Sequence, residues 1–303
     1  MGRIRVGNSG WSYKDWIGPF YPSGSPMSRL LKIYLSRFDI VEINSSFYSV
    51  PKTGTVNGWI KEAGQVKGKE FSLKVPQEIS HVLSMREEPN EMEQAYRTFS
   101  RSVLKPLEDA GYLGAVLFQA SPYFTVRSDI KYRMKSEPKV PLPDYVLGIK
   151  RLKEICSVMS GGPGEPVIEL RNSSWLNEDL RLNREAVECL REYGVALAVV
   201  DGPSFPWFHE ETARHNYIRF HGRNKEGWFR NVEQDRNARY EYDYPEAELM
   251  ERVDPIKIMA SKVDRDTRVF FNNHPRGMAP KNASKMMEFL GISEPLGALD
   301  RFR

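Results

Sequence analysis

The stretch Arg-Val-Phe-Phe-Asn-Asn-His-Pro, residues 268–275, passes from apolar residues into polar ones and then meets a proline. An earlier stretch, Tyr-Ile-Arg-Phe-His-Gly-Arg at residues 217–223, shows the same change. Short apolar runs predict buried strands, and polar residues at their ends are typical of sites built from strand ends. Because other apolar runs repeat the pattern, we expect many strands to direct polar groups to one rim of a single scaffold.

Eight short apolar runs predict eight strands, and amphipathic segments separate most of them. The runs are residues 4–9, 40–47, 71–75, 115–120, 167–171, 196–201, 217–221 and 269–273. Strands that alternate with helices indicate a mostly parallel sheet, and eight repeats favour closure into a barrel over an open doubly wound sheet. The sequence therefore predicts an α/β fold, a TIM-like (β/α)8 barrel, as one domain over residues 1–303.

Two insertions interrupt this rhythm after the fourth and seventh strands. Residues 125–143 are rich in charge and proline, and residues 223–244 mix basic side chains with Trp228 and several tyrosines. Both should lie at the carboxyl ends of the strands, where such barrels keep their sites. We expect them either to cover a ligand or to be solvated surface loops.

Composition limits the class of protein. With 40% hydrophobic and 28% charged residues the chain is typical of soluble globular proteins, and no apolar run approaches the roughly 18 residues of a membrane helix. The N-terminus lacks the apolar segment of a signal peptide, which predicts a cytoplasmic protein without a membrane partner. The net charge of +4 permits an anionic ligand without requiring nucleic acid. Cys156 and Cys189 form no C-x-x-C unit and are expected to be buried free thiols.

The strands carry a second pattern, in which polar residues alternate with apolar ones near the strand ends. Because successive residues of a strand point to opposite sides, this alternation predicts a polar inner face. Its ten members are Glu42, Asn44, Lys74, Gln119, Glu169, Arg171, Asp201, Arg219, His221 and Asn272. Branched apolar residues usually fill a barrel centre, so these groups indicate either an active or binding site or a closed network of ion pairs.

A series of short motifs, each present once, is spread along nearly the whole chain. They are Gly10-Trp11-Ser12-Tyr13, Glu42-Ile43-Asn44-Ser45-Ser46-Phe47-Tyr48, Lys74-Val75-Pro76, Leu117-Phe118-Gln119, Glu169-Leu170-Arg171 with Ser174-Trp175, Arg219-Phe220-His221-Gly222-Arg223, and Phe271-Asn272-Asn273-His274. Together they resemble the YecE-like family of uncharacterised TIM-barrel proteins. The resemblance implies the barrel fold and no reaction, because the function of that family is unknown. The chain departs from the family pattern at Ser45 and Ser46, where a threonine usually precedes the Phe-Tyr pair.

The candidate metal ligands are Glu42, Glu169, Asp201, His221 and His274. Lys74, Arg171 and Arg219 interleave with them, and three cations would repel a divalent ion. We therefore predict no metal site and no organic cofactor, with a divalent metal as the alternative.

An anion subsite is predicted in the loops after the seventh and eighth strands, where barrels often bind phosphate. Arg223 and Arg276 are the expected donors, because guanidinium groups bind phosphate and carboxylate in a bidentate manner. The other expected substrate contacts are Trp11, Tyr13, Asn44, Tyr48, Gln119, Arg171, Trp175, Arg219, Asn272, Asn273 and His274. The aromatic members could equally be packing residues.

These residues favour an enzyme that acts by acid–base chemistry on a small or oligomeric anionic substrate, with phosphate as the preferred charged group. The expected catalytic residues are His221, Glu169, Glu42, Asp201 and Lys74, with His221 as the proton carrier because the imidazole pKa suits neutral pH. Hydrolysis of a phosphoester, including one in nucleic acid, is the favoured reaction. The alternatives are a sugar-phosphate isomerase or lyase, and a protein that binds a ligand or single-stranded nucleic acid without catalysis. No pattern in the sequence indicates an oligomeric state.

Overall fold

In a computed structural model of the protein, a parallel sheet is surrounded by helices, and residues 2–64, 68–86, 89–126, 145–229 and 238–293 are described. The strands of that part are β1 (Ile4–Ser9), β2 (Ile40–Ile43), β3 (Glu70–Lys74), β4 (Leu113–Gln119), β5 (Glu165–Glu169), β6 (Ala196–Leu197), β7 (Val199–Asp201), β8 (Asn216–Phe220) and β9 (Thr267–Phe271). The α-helices there are α1 (Leu30–Arg37), α2 (Ser45–Tyr48), α3 (Thr53–Ala63), α4 (Pro89–Phe99), α5 (Lys105–Asp109), α6 (Tyr145–Ser160), α7 (Arg184–Tyr193), α8 (Lys225–Phe229), α9 (Glu246–Ser261) and α10 (Met278–Leu290). None of these helices is long and apolar enough to cross a membrane.

The sheet is a TIM-like barrel, as the sequence predicts. Its strand order is β6-β5-β4-β3-β2-β1-β9-β8-β7, and every pairing is parallel. The two outer members, β6 and β7, are consecutive in the chain and only Ala198 separates them. One pairs with β5 and the other with β8, so the predicted sixth strand brings the two edges of the sheet together.

The second strand is shorter than the predicted 40–47. The observed β2 ends at Ile43, and residues 45–48 form the short helix α2. The hydroxyl of Ser46 lies within hydrogen-bond distance of the carbonyl oxygens of Ile43 (2.9 Å) and Lys74 (2.8 Å), which share its single proton. These side-chain bonds satisfy strand-end carbonyls, so the backbone can leave the sheet although the residues that follow have high strand propensity.

The direction of Asp201 also differs from the prediction, which places it on the inner face opposite Ala198 and Val200. Asp201 pairs in register with Phe220, whose ring packs on Phe271 and Tyr244 outside the barrel. Ala198, in contrast, belongs to the apolar layer inside. The run from Ala196 to Val200 is entirely apolar, so it contains no alternation from which the inner face could be predicted.

Both insertions lie only partly among the described residues. The first, 125–143, falls outside them from residue 127 onward, and the second, 223–244, falls outside them at residues 230–237. The described ends of the second insertion include α8 and the 3-10 turn Ala238–Tyr240, which return to the carboxyl ends of the strands.

The barrel interior consists of an apolar layer between two charged ones. The apolar layer contains Ile40, Ala115, Leu117, Val167, Ala196, Ala198, Tyr217 and Phe270. At the amino ends of the strands lies a group that we call the basal cluster, formed by Arg5, Glu70, Glu165 and Arg268. Arg268 binds Glu70 through Nε (2.6 Å) and also pairs with Glu165, while Arg5 donates to Glu70 (2.8 Å). Burial by itself would raise the pKa of Glu70, but Arg268 and Arg5 outweigh it and hold that pKa below its usual range.

We expect Arg268→Met to destabilise the protein by about 3–5 kcal/mol near neutral pH, because it leaves two buried carboxylates short of a partner. Glu70 and Glu165 both have lowered pKa values in the folded state, so their contribution is complete above the unfolded value of 4.5 and is lost as the pH falls through the folded value. Urea unfolding should therefore show the full loss at neutral pH and a smaller one in acid.

The matched control is Arg214→Met, which removes an arginine paired with Asp264 on the surface. Exposed pairs contribute little, so the urea midpoint of this variant should stay close to that of the wild type. Equal losses in the two variants would contradict the role assigned to the basal cluster.

Candidate functional site

A second charged group occupies the interior at the carboxyl ends of the strands. We call it the mouth cluster, and its members are Glu42, Lys74, Gln119, Glu169, Arg171, Arg219, His221 and Asn272. Lys74, Gln119 and Glu169 are each the last residue of a strand, and His221 directly follows β8. The structure therefore brings together the inner-face residues predicted from the sequence, apart from Asp201 and Asn44.

Arg219 is the centre of the mouth cluster and is fully buried. Its guanidinium donates to both oxygens of Glu42, through Nη2 at 2.7 Å and Nε at 3.0 Å, and it also pairs with Glu169. The hydroxyl of Tyr217 donates to Glu42 as well (2.7 Å). Burial alone would raise the pKa of both carboxyl groups, but Arg219 outweighs it and keeps both pKa values low. Both groups are thus carboxylates at neutral pH.

His221 lies beside this ion pair. Its Nε2 is 3.6 Å from Glu169 Oε2 and 3.3 Å from Arg219 Nη1, and its Nδ1 is 3.1 Å from the side-chain amide nitrogen of Asn272. Burial, with help from Arg219, lowers the pKa of His221. Gln119 donates to the other oxygen of Glu169 at 2.6 Å. His221 is therefore a neutral imidazole at pH 7, held next to a carboxylate.

Lys74 differs from the other buried charges. Its ammonium group lies 4.7 Å from the ring centroid of Phe47, and no carboxylate of the described residues pairs with it. Burial is the main reason that the pKa of Lys74 falls to about 7, and Arg219 lowers it further against the opposing effect of Glu42 and Glu169. Near neutral pH this amine exists in both protonation states.

The charges of the mouth cluster leave it receptive to an anion. Two carboxylates face three cations when Lys74 is protonated, so the cluster then carries one excess positive charge. Arg171 is its most accessible cation, with 19% of its side chain exposed and a loose pairing of 3.7 Å to Glu169. An anion that approached Arg171 would find a donor that is not saturated by its carboxylate partner.

Aromatic side chains form a rim beside the cluster. The ring of Tyr13 stacks on His274 with centroids 4.6 Å apart, and Tyr240 packs on the same imidazole at 5.6 Å. Trp228 lies 6.0 Å from His221 and is covered by Arg239. Burial lowers the pKa of His274 to about 4. The second insertion thus contributes aromatic rings to the mouth.

Among the buried side-chain oxygen atoms that have no hydrogen-bond partner within the described ranges, two lie at the last residue of β1 and at the first residue after β2. One is the hydroxyl of Ser9, which pairs in register with Glu42 and so shares its inward face, and the other is Oδ1 of Asn44. Asn44 precedes α2 rather than extending β2. Because unsatisfied buried polar atoms cost free energy, these atoms are suited to contact a ligand or water.

The two arginines of the predicted anion subsite are already paired. Arg223 binds both oxygens of Asp201 at 2.8 Å and also contacts Glu248 at 3.2 Å. Asp201 accepts a further bond from Arg252 of α9 at 2.8 Å. Together these pairs attach the end of β7 to the surrounding helices, away from the barrel axis.

The side chain of Arg276, which is 72% exposed, pairs with Glu241 at 2.9 Å. Its backbone N–H donates to Asp15 at 2.6 Å, and its φ of 55° lies in the left-handed region. Neither this guanidinium nor that of Arg223 belongs to the mouth cluster.

The other predicted binding residues are dispersed. Asn273 donates to the backbone of Tyr242 and to Asn282, both at 2.7 Å, so it joins the strand end to α10. Trp175 is fully buried against Phe124, and the partly buried Trp11 packs edge-on against Trp59. Tyr48 is 77% exposed. These positions correspond to packing or outer-rim roles.

Several residues of the site are not among the site residues predicted from the sequence. His81, on a π-helical turn after β3, packs against Phe47, and its pKa is lowered to about 4 by burial and by Arg171 and Lys74. Tyr217 and Ser9 appear in the sequence as ordinary strand residues. The spacing of His81 from Lys74 could not show that the intervening turn brings the two together. In the portion of the chain that the structure describes, no group of three or more His, Cys, Asp or Glu side chains could hold a metal ion.

We expect Lys74→Met to keep or raise the stability of the protein at neutral pH, because it removes a buried cation without an ion-pair partner. The folded state releases the Lys74 proton near pH 7, whereas the unfolded state keeps it up to about 10.5. The unfolded state therefore binds more protons over that range, and wild-type stability should rise with pH there. Urea unfolding of the variant should lack this rise.

Lys69→Met is the matched control, because Lys69 is also fully buried but pairs with Asp39 at 2.6 Å. Its removal should lower stability. A large loss of stability in Lys74→Met at every pH would show that Lys74 is a structural member of the ion-pair network.

Comparison with known proteins supports the relationship expected from the motifs. The chain is 27% identical over 297 residues to UPF0759 protein YunF of Bacillus subtilis (strain 168), covering 95% of each chain. It is similar in structure to a DUF72 family protein from Thermotoga maritima MSB8, with a TM-score of 0.76, 28% identity and coverage of 95% of this chain and 99% of that one. A DUF72 family protein from Enterococcus faecalis V583 matches with a TM-score of 0.73, 26% identity and 96% coverage of both chains.

The family model described as "Protein of unknown function DUF72" matches residues 5–300. This match spans the barrel from β1 to beyond α10, and it includes every member of the mouth cluster. The chain therefore belongs to the DUF72 family, whose function is unknown.

Proposed function

We propose that the protein is an enzyme that binds a small anionic substrate at the mouth cluster and acts on it by acid–base chemistry. The observation that carries this proposal is the state of Lys74, a buried amine without an ion-pair partner among the described residues, in a cluster whose other charges are paired. A purely structural network would gain nothing from an unpaired buried cation, because desolvation destabilises it. Perturbed titratable groups of this kind are typical of active sites.

The roles follow from the contacts. Arg171 binds the negative group of the substrate, since it is the accessible cation of the cluster. Lys74 transfers protons, because its pKa of about 7 allows it to act as acid or base at neutral pH. His221 and Glu169 form a second proton-transfer pair, and Arg219 holds Glu169 and Glu42 in place. Asp201 lies outside these contacts and has a structural role.

Two reaction classes fall within this proposal, and one alternative without catalysis stands beside them. An isomerase or lyase acting on a carbonyl compound uses a base such as Lys74 directly, so the geometry favours this class. Phosphoester hydrolysis is the second candidate, because Arg171, Arg219 and Lys74 could offset the charge of a phosphate group. Binding without turnover, including binding of single-stranded nucleic acid, is the alternative without catalysis. We also propose that the protein is cytoplasmic and that it acts without a cofactor.

We expect sulfate, used as a non-titrating anion, to bind with uptake of protons when calorimetry is performed near pH 8 in buffers of different ionisation enthalpy. At that pH Lys74 is mostly neutral, and a bound anion raises its pKa and so recharges it. Lys74→Met should bind sulfate without proton uptake. Arg171→Met should weaken binding by about 10-fold or more, which corresponds to the loss of a charge-assisted hydrogen bond.

Arg276→Met is the matched control for Arg171→Met, since it removes an exposed arginine outside the mouth cluster and should leave sulfate affinity unchanged. If Arg276→Met weakens binding and Arg171→Met does not, the anion subsite lies in the loop after β9, where the sequence predicts it. If wild-type protein takes up no proton on binding, Lys74 is not at the anion site.

We expect Glu169→Gln to abolish turnover and to preserve sulfate binding, because the change removes a proton acceptor beside His221 without removing a cation. The measurement is a screen of sugar phosphates, 2-oxo acids and phosphoesters against wild type and variant prepared in parallel. An activity present only in the wild type belongs to the mouth cluster and identifies the reaction class. Unfolding of the variant in urea shows whether the barrel persists. Sulfate binding without any turnover in the wild type would favour the binding protein.

A further inference from the structure

We propose that Lys74 bonds covalently to its substrate, forming an imine with an aldehyde or ketone that also carries a carboxylate or phosphate group. This inference rests on the proposed function and deepens it, because it names the substrate class and gives Lys74 the role of nucleophile.

The position of Lys74 suits a nucleophile. Its backbone is fixed at the last residue of β3, where the N–H of Lys74 donates to Ser46 Oγ (3.2 Å) and its carbonyl accepts from the same hydroxyl (2.8 Å). Its side chain points into the mouth, and no acceptor among the described residues takes a hydrogen bond from Nζ. The nitrogen is not engaged by a carboxylate that would have to be displaced before it could attack.

Lys69 is a second buried lysine of the same chain, and its contacts differ from those of Lys74. Its side chain is fully buried at the other end of the barrel, immediately before β3. Its Nζ lies 2.6 Å from Asp39 and 3.4 Å from the carbonyl of Phe38. Lys69 is therefore held by an ion pair and a carbonyl contact, whereas the amine of Lys74 has no such partner among the described residues.

The local charge favours an imine with an anionic substrate. With Lys74 neutral, Glu42 and Glu169 balance Arg219 and Arg171. A protonated imine adds one positive charge, which one negative group on the substrate would offset. Arg171 is placed to bind that negative group, and the two carboxylates stabilise the iminium. A neutral carbonyl compound would leave the buried positive charge without a counter-charge.

The chemistry balances without a further reagent. The neutral amine adds to the carbonyl carbon, so a C–N bond forms and a proton passes from nitrogen to the carbonyl oxygen. The new hydroxyl group then takes up one proton from solvent, the C–O bond breaks and water leaves, so the neutral amine, the carbonyl group and one proton have become a protonated imine and water. Water departure needs a proton donor and a proton acceptor, and the pair formed by His221 Nε2 and Glu169 Oε2 at 3.6 Å is adjacent to the mouth.

The test uses the full-length wild-type protein with glyoxylate, a small anionic aldehyde, and sodium cyanoborohydride, which reduces an imine to a stable secondary amine. Peptide mapping by mass spectrometry then gives the modified fraction of each lysine. We expect Lys74 to be modified at least 10-fold faster than Lys69 and the exposed lysines, with a rate that rises as the pH increases through 7. Glycolaldehyde, a neutral aldehyde of similar size, should modify Lys74 no faster than surface lysines.

Two further measurements separate the failure of this inference from the failure of the proposed function. Sulfate should slow the modification of Lys74 by glyoxylate and leave surface lysines unaffected, and Arg171→Met should remove that protection. If sulfate binds with proton uptake but glyoxylate modifies only surface lysines, Lys74 is an acid–base group and the imine is wrong. If sulfate does not bind and Lys74 is no more reactive than Lys69, both proposals fail.

Discussion

The buried contact of Arg219 with Glu42 and Glu169 is the constraint on which the mouth of this barrel depends. Arg219 comes from β8, Glu42 from β2 and Glu169 from β5, so one guanidinium links three strands that are not neighbours in the sheet. Its planar fork of donors binds both oxygens of Glu42 and still reaches Glu169, a bidentate geometry that the compact ammonium of a lysine does not match. The contact holds both carboxylates ionised in a buried place, and these charges determine the behaviour of the other residues there.

The two ends of the barrel interior both contain buried charged side chains, but these are paired to different extents. In the basal cluster Arg268 and Arg5 are each engaged by a buried glutamate. In the mouth cluster Arg219 is saturated, but Lys74 has no direct partner among the described residues and Arg171 is only loosely paired. Complete pairing satisfies the demands of stability, whereas incomplete pairing leaves donors for a ligand. This contrast within one molecule is the strongest physical argument that the mouth is a functional site.

Membership of the DUF72 family places the chain among proteins of unknown function, so the chemistry must be argued from the site itself. The cluster combines an accessible guanidinium, an amine with a depressed pKa and an imidazole beside a carboxylate. These are the components of acid–base and carbonyl chemistry on an anion. The aromatic rim of Tyr13, His274 and Tyr240 adds flat surfaces at the same opening.

The barrel, the order of the strands along the chain and most of the mouth cluster follow from the pattern of residues in the sequence alone. Strand periodicity was sufficient for Glu42, Lys74, Glu169 and Arg219, because polar residues there alternate with apolar ones on well-defined strands. It failed for Asp201, because the preceding run is apolar on both faces.

Which charges are paired with each other depends on the three-dimensional packing of the strands and helices. Arg223 and Asp201 are separated in the chain by the whole of β8, yet they form an ion pair. Both side chains lie away from the barrel axis. Conversely, Lys74 has carboxylates near it without a direct contact, and His81 reaches the mouth through a π-helical turn. Pairing depends on distances of a few ångströms between strands that are distant in the chain, and residue spacing carries no information on such distances.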